Sequence, residues 1–221
     1  MLNSENLIRI AIDGPGGAGK STIAKLVAKE LSIDYIDTGA MYRAIGLKLS
    51  KNNVDIDDEE ELIKVLDDTE IDFNKGSVYL DGIDVSDQIR TSEMSMMASN
   101  CSKKKLVREK LVSIQREMGM RKSVVMDGRD IGTNVLKDAE IKIFLTAGAE
   151  IRAKRRYDEL LGKGERPDYD RVLKEIVERD YQDSNRKLNP LEKAADAILL
   201  DTSSMSIKEV ADCIKGYIEK I

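Results

Sequence analysis

Short apolar runs punctuate the chain, and between them apolar residues return at helical spacing. The runs fall at 8–12 (IRIAI), 33–37 (IDYID), 123–127 (SVVMD), 140–145 (EIKIFL) and 196–201 (DAILLD). Their length suits strands, and their apolar content predicts a parallel sheet covered on both faces. Behind the first run, Ile23, Leu26, Val27 and Leu31 predict a helix. At the far end Ser206 and Glu209 read as a capping box, opening a helix over 206–220 expected to bury Ile207, Val210, Ile214 and Ile218. Strands alternating with helices in this way predict an α/β fold with one parallel sheet.

Two segments break the rhythm. Residues 71–91 alternate apolar and polar positions around an Asp81-Gly82 turn, which predicts a small antiparallel element. The acidic run DIDDEEE at 55–61 precedes it and reads as a solvated helix start. Residues 149–191 are dense in charge, with Gly162, Gly164 and Pro167 near the middle, and predict two helices joined by a mobile tip. There is no repeat, low-complexity tract or linker, so one domain is expected.

Composition narrows the function. With 221 residues and 41% hydrophobic content the chain suffices for one α/β domain with insertions. It has no apolar run of membrane-spanning length, and its first residues lack the form of a signal peptide, so a cytoplasmic location is expected. Cys101 and Cys213 show no metal-binding spacing and read as reduced, packed thiols. The chain has no histidine, which removes imidazole bases and His-ligated zinc but leaves phosphoryl transfer open. A net charge of −5 disfavours nucleic-acid or anionic-membrane partners. No apolar stripe demands a protein partner, so a monomer is expected.

The candidate chemistry begins after the first strand. Gly14, Gly19, Lys20 and Ser21 match G-x-x-x-x-G-K-[ST], the loop whose backbone N–H groups cradle phosphates. Lys20 is expected to reach the β- and γ-phosphates of ATP, and Ser21 to ligate Mg²⁺. A GTP switch is disfavoured, because the nearest N-K-x-D segment, NKGS at 74–77, ends in serine. A hydrolysing motor is disfavoured because VVMD is followed by Gly128 and not by an acid. Arg152, Arg155, Arg156, Arg166, Arg171, Arg179 and Arg186 gather in the second unusual segment. They suit polyphosphate oxygens, yet at helical spacing beside Asp158, Glu159, Glu175, Glu178 and Asp180 they equally suit ion pairs along a solvated face.

Taken together, DGPGGAGKST, IDTGAMYR, DGIDVSDQIRTSE, DGRDIGT and ERDYQDSNRKLNPL resemble the bacterial cytidylate kinases, from about residue 8 to the C-terminus. The resemblance implies transfer of a phosphoryl group from ATP, with Mg²⁺, to CMP or dCMP. It implies a P-loop sheet of strand order 2-3-1-4-5, with a core of 1–59, 116–148 and 192–221, an acceptor-binding insertion of about 60–115 and a helical lid of about 149–191. ATP would lie on Gly14, Pro15, Gly16, Gly17, Ala18, Gly19, Lys20, Ser21 and Thr22, with Arg156 the best of the weaker donor-side arginines. Thr38, Arg43, Ser99, Arg108, Arg129, Asp130, Arg179, Asp183 and Arg186 would hold the acceptor. Asp130 would accept from the cytosine amine. Lys20, Arg129, Arg179 and Arg186 would stabilise transfer, and Asp37 or Asp127 would orient waters on the metal. For Tyr35 and Tyr42, core packing is expected. The nearest alternative acceptor is UMP or another small phosphorylated molecule.

Overall fold

The computed structural model describes residues 7–74 and 76–219. Residue 220 of the expected last helix, Lys75 of NKGS, and the outermost residues of the expected core lie outside them. In chain order the elements are β1 (Arg9–Asp13), α1 (Lys20–Leu31), β2 (Asp34–Asp37), α2 (Thr38–Lys51), α3 (Glu59–Asp67), β3 (Ile71–Asn74), β4 (Ser77–Leu80) and β5 (Ile83–Asp84). There follow α4 (Ser92–Cys101), α5 (Lys105–Arg121), β6 (Val124–Gly128), β7 (Ile141–Thr146), α6 (Ala149–Gly162), α7 (Tyr169–Asn185), β8 (Ile198–Asp201) and α8 (Ile207–Ile218). A π-helical turn, Ile131–Val135, sits between β6 and β7. Two compact units emerge: the described residues up to Tyr35 and from Ser123 onward, and Ile36–Lys122.

In the first unit the sheet runs β2-β6-β1-β7-β8, which is the expected 2-3-1-4-5 when only its own strands are numbered. β1 pairs in parallel with β6 and β7, and β7 with β8. The three central strands are buried along most of their length, because α1 and α8 lay Ile23, Ala24, Val27, Val210, Ala211 and Ile214 onto Ile10, Ile12, Val125, Ile143 and Leu145. The edge departs from expectation: β8 alternates half-buried and exposed residues and leaves Leu199 59% exposed. An edge strand needs cover on one face only. Asp196 and Ala197, assigned to that strand from the sequence, lie in the turn before it, where Ala197 N donates to Ala194 O.

The capping box opens α8 as expected, with Ser206 Oγ accepting from Glu209 N and Glu209 Oε2 from Ser206 N. Ile207 nonetheless stays 54% exposed. Helical side chains lean toward the N-terminus, so a first-position residue points past the helix end. α6 and α7 pack on one another, joined through the segment holding Gly164.

In the second unit, β3, β4 and β5 form the expected antiparallel element. Asp81 and Gly82 turn it with φ of 51° and 77°, the paired positive values of a type I′ hairpin. Lys48 on α2 pairs with the Asp81 carboxylate at 2.7 Å. α2 packs against α4, and a Cβ on Gly46 would come within 2.9 Å of Met97 Cβ, so only glycine allows that approach. Asp58 caps α3 by accepting from Glu61 N, and Glu59, Glu60 and Glu61 fill its first turn, favourable to the helix dipole.

Candidate functional site

β1 delivers the chain to the glycine loop, and sterics dictate its composition. Gly14 has φ 145°, and a Cβ there would lie 2.0 Å from Leu145 O. Gly19, at φ 91°, caps α1 without contributing a side chain. No side chain caps this helix, so its first N–H groups and dipole face the loop, the arrangement that binds phosphate. Lys20 is the first residue of α1 and is buried, its Nζ donating to Pro15 O at 2.8 Å. Burial lowers its pKa from 10.5 to about 7, helped by Arg129 and Arg179 and opposed by Asp127 and Asp13. Burial among other cations thus disfavours the ammonium, and an anion on the loop would favour it.

Beside it stands Asp127, at the end of β6. Ser21 Oγ donates to one carboxylate oxygen at 2.9 Å, and Tyr35 OH to the other at 2.7 Å. Tyr35 packs its ring on the core cluster as expected, and its hydroxyl in addition braces Asp127. A hydroxyl and a buried carboxylate side by side are hard oxygen donors of the kind Mg²⁺ uses while keeping several waters. Of the two carboxylates considered, Asp37 is otherwise engaged, accepting from Ala40 N at 2.8 Å as the cap of α2 and pairing with Arg43 at 3.0 Å.

Arginines surround the loop in the same unit. Arg129 directs Nε to Asp183 at 2.8 Å, and its guanidinium comes close enough that a Cβ on Gly16 would lie 3.7 Å from Nη2. Asp183 is buried on α7, and its pKa is lowered by Arg129, Arg179 and Arg186 in spite of burial, which pushes the other way. Arg186 donates to Asp130 at 2.9 Å and to Asn189 O at 2.6 Å. It follows Arg179 and Asp183 at spacings of seven and three, which would continue their helical face, but α7 ends at Asn185 and Arg186 is extended, with ψ 142°. Asp130, expected to wait for a base amine, already accepts from Arg186 and, at 3.1 Å, from Asn134.

The remaining arginines separate by partner. Arg152 is buried and braces backbone, donating to Ala147 O at 2.8 Å and Gly16 O at 3.0 Å, and pairing with Asp180 at 2.6 Å. Arg155 donates to Thr202 O at 2.7 Å. Arg156 pairs with Glu159 at 2.8 Å and Arg171 with Glu175 at 2.9 Å, both along helix surfaces. For these two the solvated-face reading describes what is seen.

The second unit gathers Thr38, Arg43, Tyr42, Ser99 and Arg108. Thr38 is buried at the start of α2, and the Nε of Arg43 is buried without a hydrogen-bond partner. Arg108 is buried on α5, 5.9 Å from the centre of the Tyr42 ring. Ser99 on α4 accepts at its carbonyl from Ser102 Oγ at 2.8 Å. Tyr42 is thus more than core filler, since its face carries a cation.

Sequence reasoning missed Asp13, Asn134, Asn189 and Thr202. Only Asp13 had a visible signal, an acid closing an apolar strand, where a buried charge demands partners.

A phosphate loop on a five-stranded parallel sheet, with a lysine and arginines converging on it, defines a P-loop kinase. Solved structures agree on the fold, among them a Bacteroides thetaiotaomicron shikimate kinase (TM-score 0.52, 14% identity, 97% of this chain and 99% of that one). The cytidylate kinase family model matches residues 10–220. Cytidylate kinases of Caldicellulosiruptor saccharolyticus and Bacillus subtilis are 56% and 50% identical to it, covering 97% and 98% of this chain and 96% and 98% of theirs. The chain belongs to the cytidylate kinase family.

Proposed function

We propose that this protein transfers the γ-phosphoryl group of ATP to CMP and dCMP, yielding ADP and CDP or dCDP. The observation that carries the reading is the convergence of Lys20, Arg129 and Arg179 on one helix N-terminus that no side chain caps, an arrangement suited to polyphosphate oxygens. Relatives named cytidylate kinase support the acceptor. Lys20 and the loop amides bind the β- and γ-phosphates, while Arg129, Arg179 and Arg186 spread positive charge around the group in transfer. Thr38 and Arg43 take the acceptor phosphate, and Ser99, Arg108 and Asp130 its base. Mg²⁺, held by Ser21 and through water by Asp127, would neutralise phosphate charge when bound. No strong base is required, which suits a chain without histidine. Residues 60–115 serve the acceptor, 149–191 serve as a lid that excludes water, and the enzyme works as a cytoplasmic monomer.

ADP release from ATP and Mg²⁺ is expected with CMP and dCMP, and not with UMP, AMP, GMP or no acceptor. Equal release without acceptor would make the protein a hydrolase and overturn the reading.

The lowered pKa of Lys20 adds a further expectation. With its pKa lowered to about 7, the lysine is partly deprotonated at pH 8; bound triphosphate favours its cation, so ATP binding takes up a fraction of a proton. Uptake fades below pH 7, where the lysine is already charged. Calorimetric titration in buffers of different ionisation enthalpy measures it, and proton-neutral binding at pH 8 would contradict the account of Lys20.

A further inference from the structure

Asp13 closes β1 directly ahead of Gly14, and its side chain is buried. Its carboxylate reaches across to the segment after β6: Oδ1 accepts from Ile131 N at 2.8 Å and Oδ2 from Gly132 N at 2.7 Å. Those amides open the π-helical turn that follows Arg129 and Asp130, and Asp130, which precedes that turn, offers it no side-chain cap. The cap comes instead from a residue more than a hundred positions earlier in the chain, the one that begins the phosphate loop. Lys142 packs against the same turn, so that a Cβ on Gly132 would meet Lys142 Cδ at 3.2 Å and Asp13 Oδ2 at 3.4 Å.

Burial opposes this carboxylate, raising its pKa to about 6, while the two amides and Lys20 pull it down. An apolar residue would fill the same space but leave the Ile131 and Gly132 amides without an acceptor. What the charge supplies is a two-point clamp. Both bonds fix the same short turn, and the residues leading into it carry the guanidinium beside Gly16 and the carboxylate that holds Arg186.

We infer that Asp13 is a positioning residue for phosphoryl transfer, fixing the Arg129–Asp130 turn against the phosphate loop. This rests on the kinase reading in so far as Arg129 serves transfer. Asp13 touches no reacting atom; it acts through the backbone of its neighbours.

The test uses Asp13→Asn, which keeps the shape but turns an NH₂ toward one of the two amides, and Gly132→Ala, whose methyl crowds the same turn against Lys142 Cδ and Asp13 Oδ2. Each is assayed well below its own melting midpoint, with ATP affinity measured separately by calorimetry. Displacing a transfer group by about an ångström is expected to lower kcat by roughly a hundredfold, while the Kd for ATP changes by no more than about tenfold, since Asp13 reaches Lys20 only through its charge. A merely structural role would lower the melting midpoint and leave kcat within about threefold, and that result overturns the inference. So does a loss of ATP affinity matching the loss of kcat, because it would place the effect on the loop. If Asp13→Asn does not fold, Gly132→Ala decides alone by the same criteria. If the wild type phosphorylates no acceptor, the kinase reading fails by itself; the clamp is then judged from hydrogen exchange, with Ile131 and Gly132 amides expected to exchange at least tenfold faster in Asp13→Asn, and unchanged protection overturning it.

Discussion

Lys20→Met is expected to reduce kcat on the order of 10³-fold, about 4 kcal/mol of transition-state stabilisation, while the fold stays intact. Methionine reproduces the unbranched stem and removes only the cation. In the ligand-free protein that cation is a burden, held among Arg129 and Arg179 with its pKa at about 7. The unfolded chain keeps the same proton up to 10.5. Between those values the unfolded state binds more protons, so wild-type stability rises with pH across that window. Lys20→Met should lose this rise and be no less stable than wild type near pH 7. Steady-state ADP release and thermal melts between pH 6 and 10 check the two halves independently. A variant turning over within tenfold of wild type would remove Lys20 from the transfer step.

The contrast between that lysine and the arginines shows what spacing reveals. Loop, lysine and central strands were legible because each is specified locally: glycines where a Cβ would strike Leu145 O, an apolar run where a strand is buried on both faces. The capping box of α8 and the Asp81-Gly82 turn were legible for the same reason. Partner choice was not. Arg152 and Arg156 lie one turn apart on α6, yet one braces Gly16 and Asp180 in the interior and the other pairs with Glu159 at the surface. Nothing in their spacing separates them, because the deciding atoms come from the phosphate loop and from α7. Tyr35 was legible only in part, its ring packing on the core as expected while its hydroxyl found Asp127. Arg186 failed through a boundary: helical spacing continued one residue past the point where the backbone left the helix. Its guanidinium still reached Asp130, since a long side chain tolerates such an error.

Asp183→Ala is expected to lower kcat/KM for CMP at least a hundredfold and to destabilise the protein by about 3–5 kcal/mol, the scale for stripping one partner from a buried ion pair. Asp183 holds Arg129 at 2.8 Å and lies in the field of Arg179 and Arg186. Without it, the three guanidinium groups proposed to surround phosphate repel one another, and Arg129 loses the bond that orients it. The resemblance to cytidylate kinases gives Asp183 a second task, at the sugar of the acceptor, and Asp183→Asn separates the two. An amide can still hydrogen-bond a ribose hydroxyl, but it cannot neutralise arginines. If charge is the larger part, Asp183→Asn falls to within about threefold of Asp183→Ala, equally for CMP and dCMP. The acid limb gives an independent reading. Because the folded pKa is depressed below 3.8, the stability Asp183 contributes is present above that value and is lost as pH falls through the folded pKa. Asp183→Asn should flatten that loss. An Asp183→Asn enzyme with near-normal turnover, beside an Asp183→Ala enzyme defective on CMP, would return the residue to the sugar, and Arg129 would then owe its place to the turn clamped by Asp13.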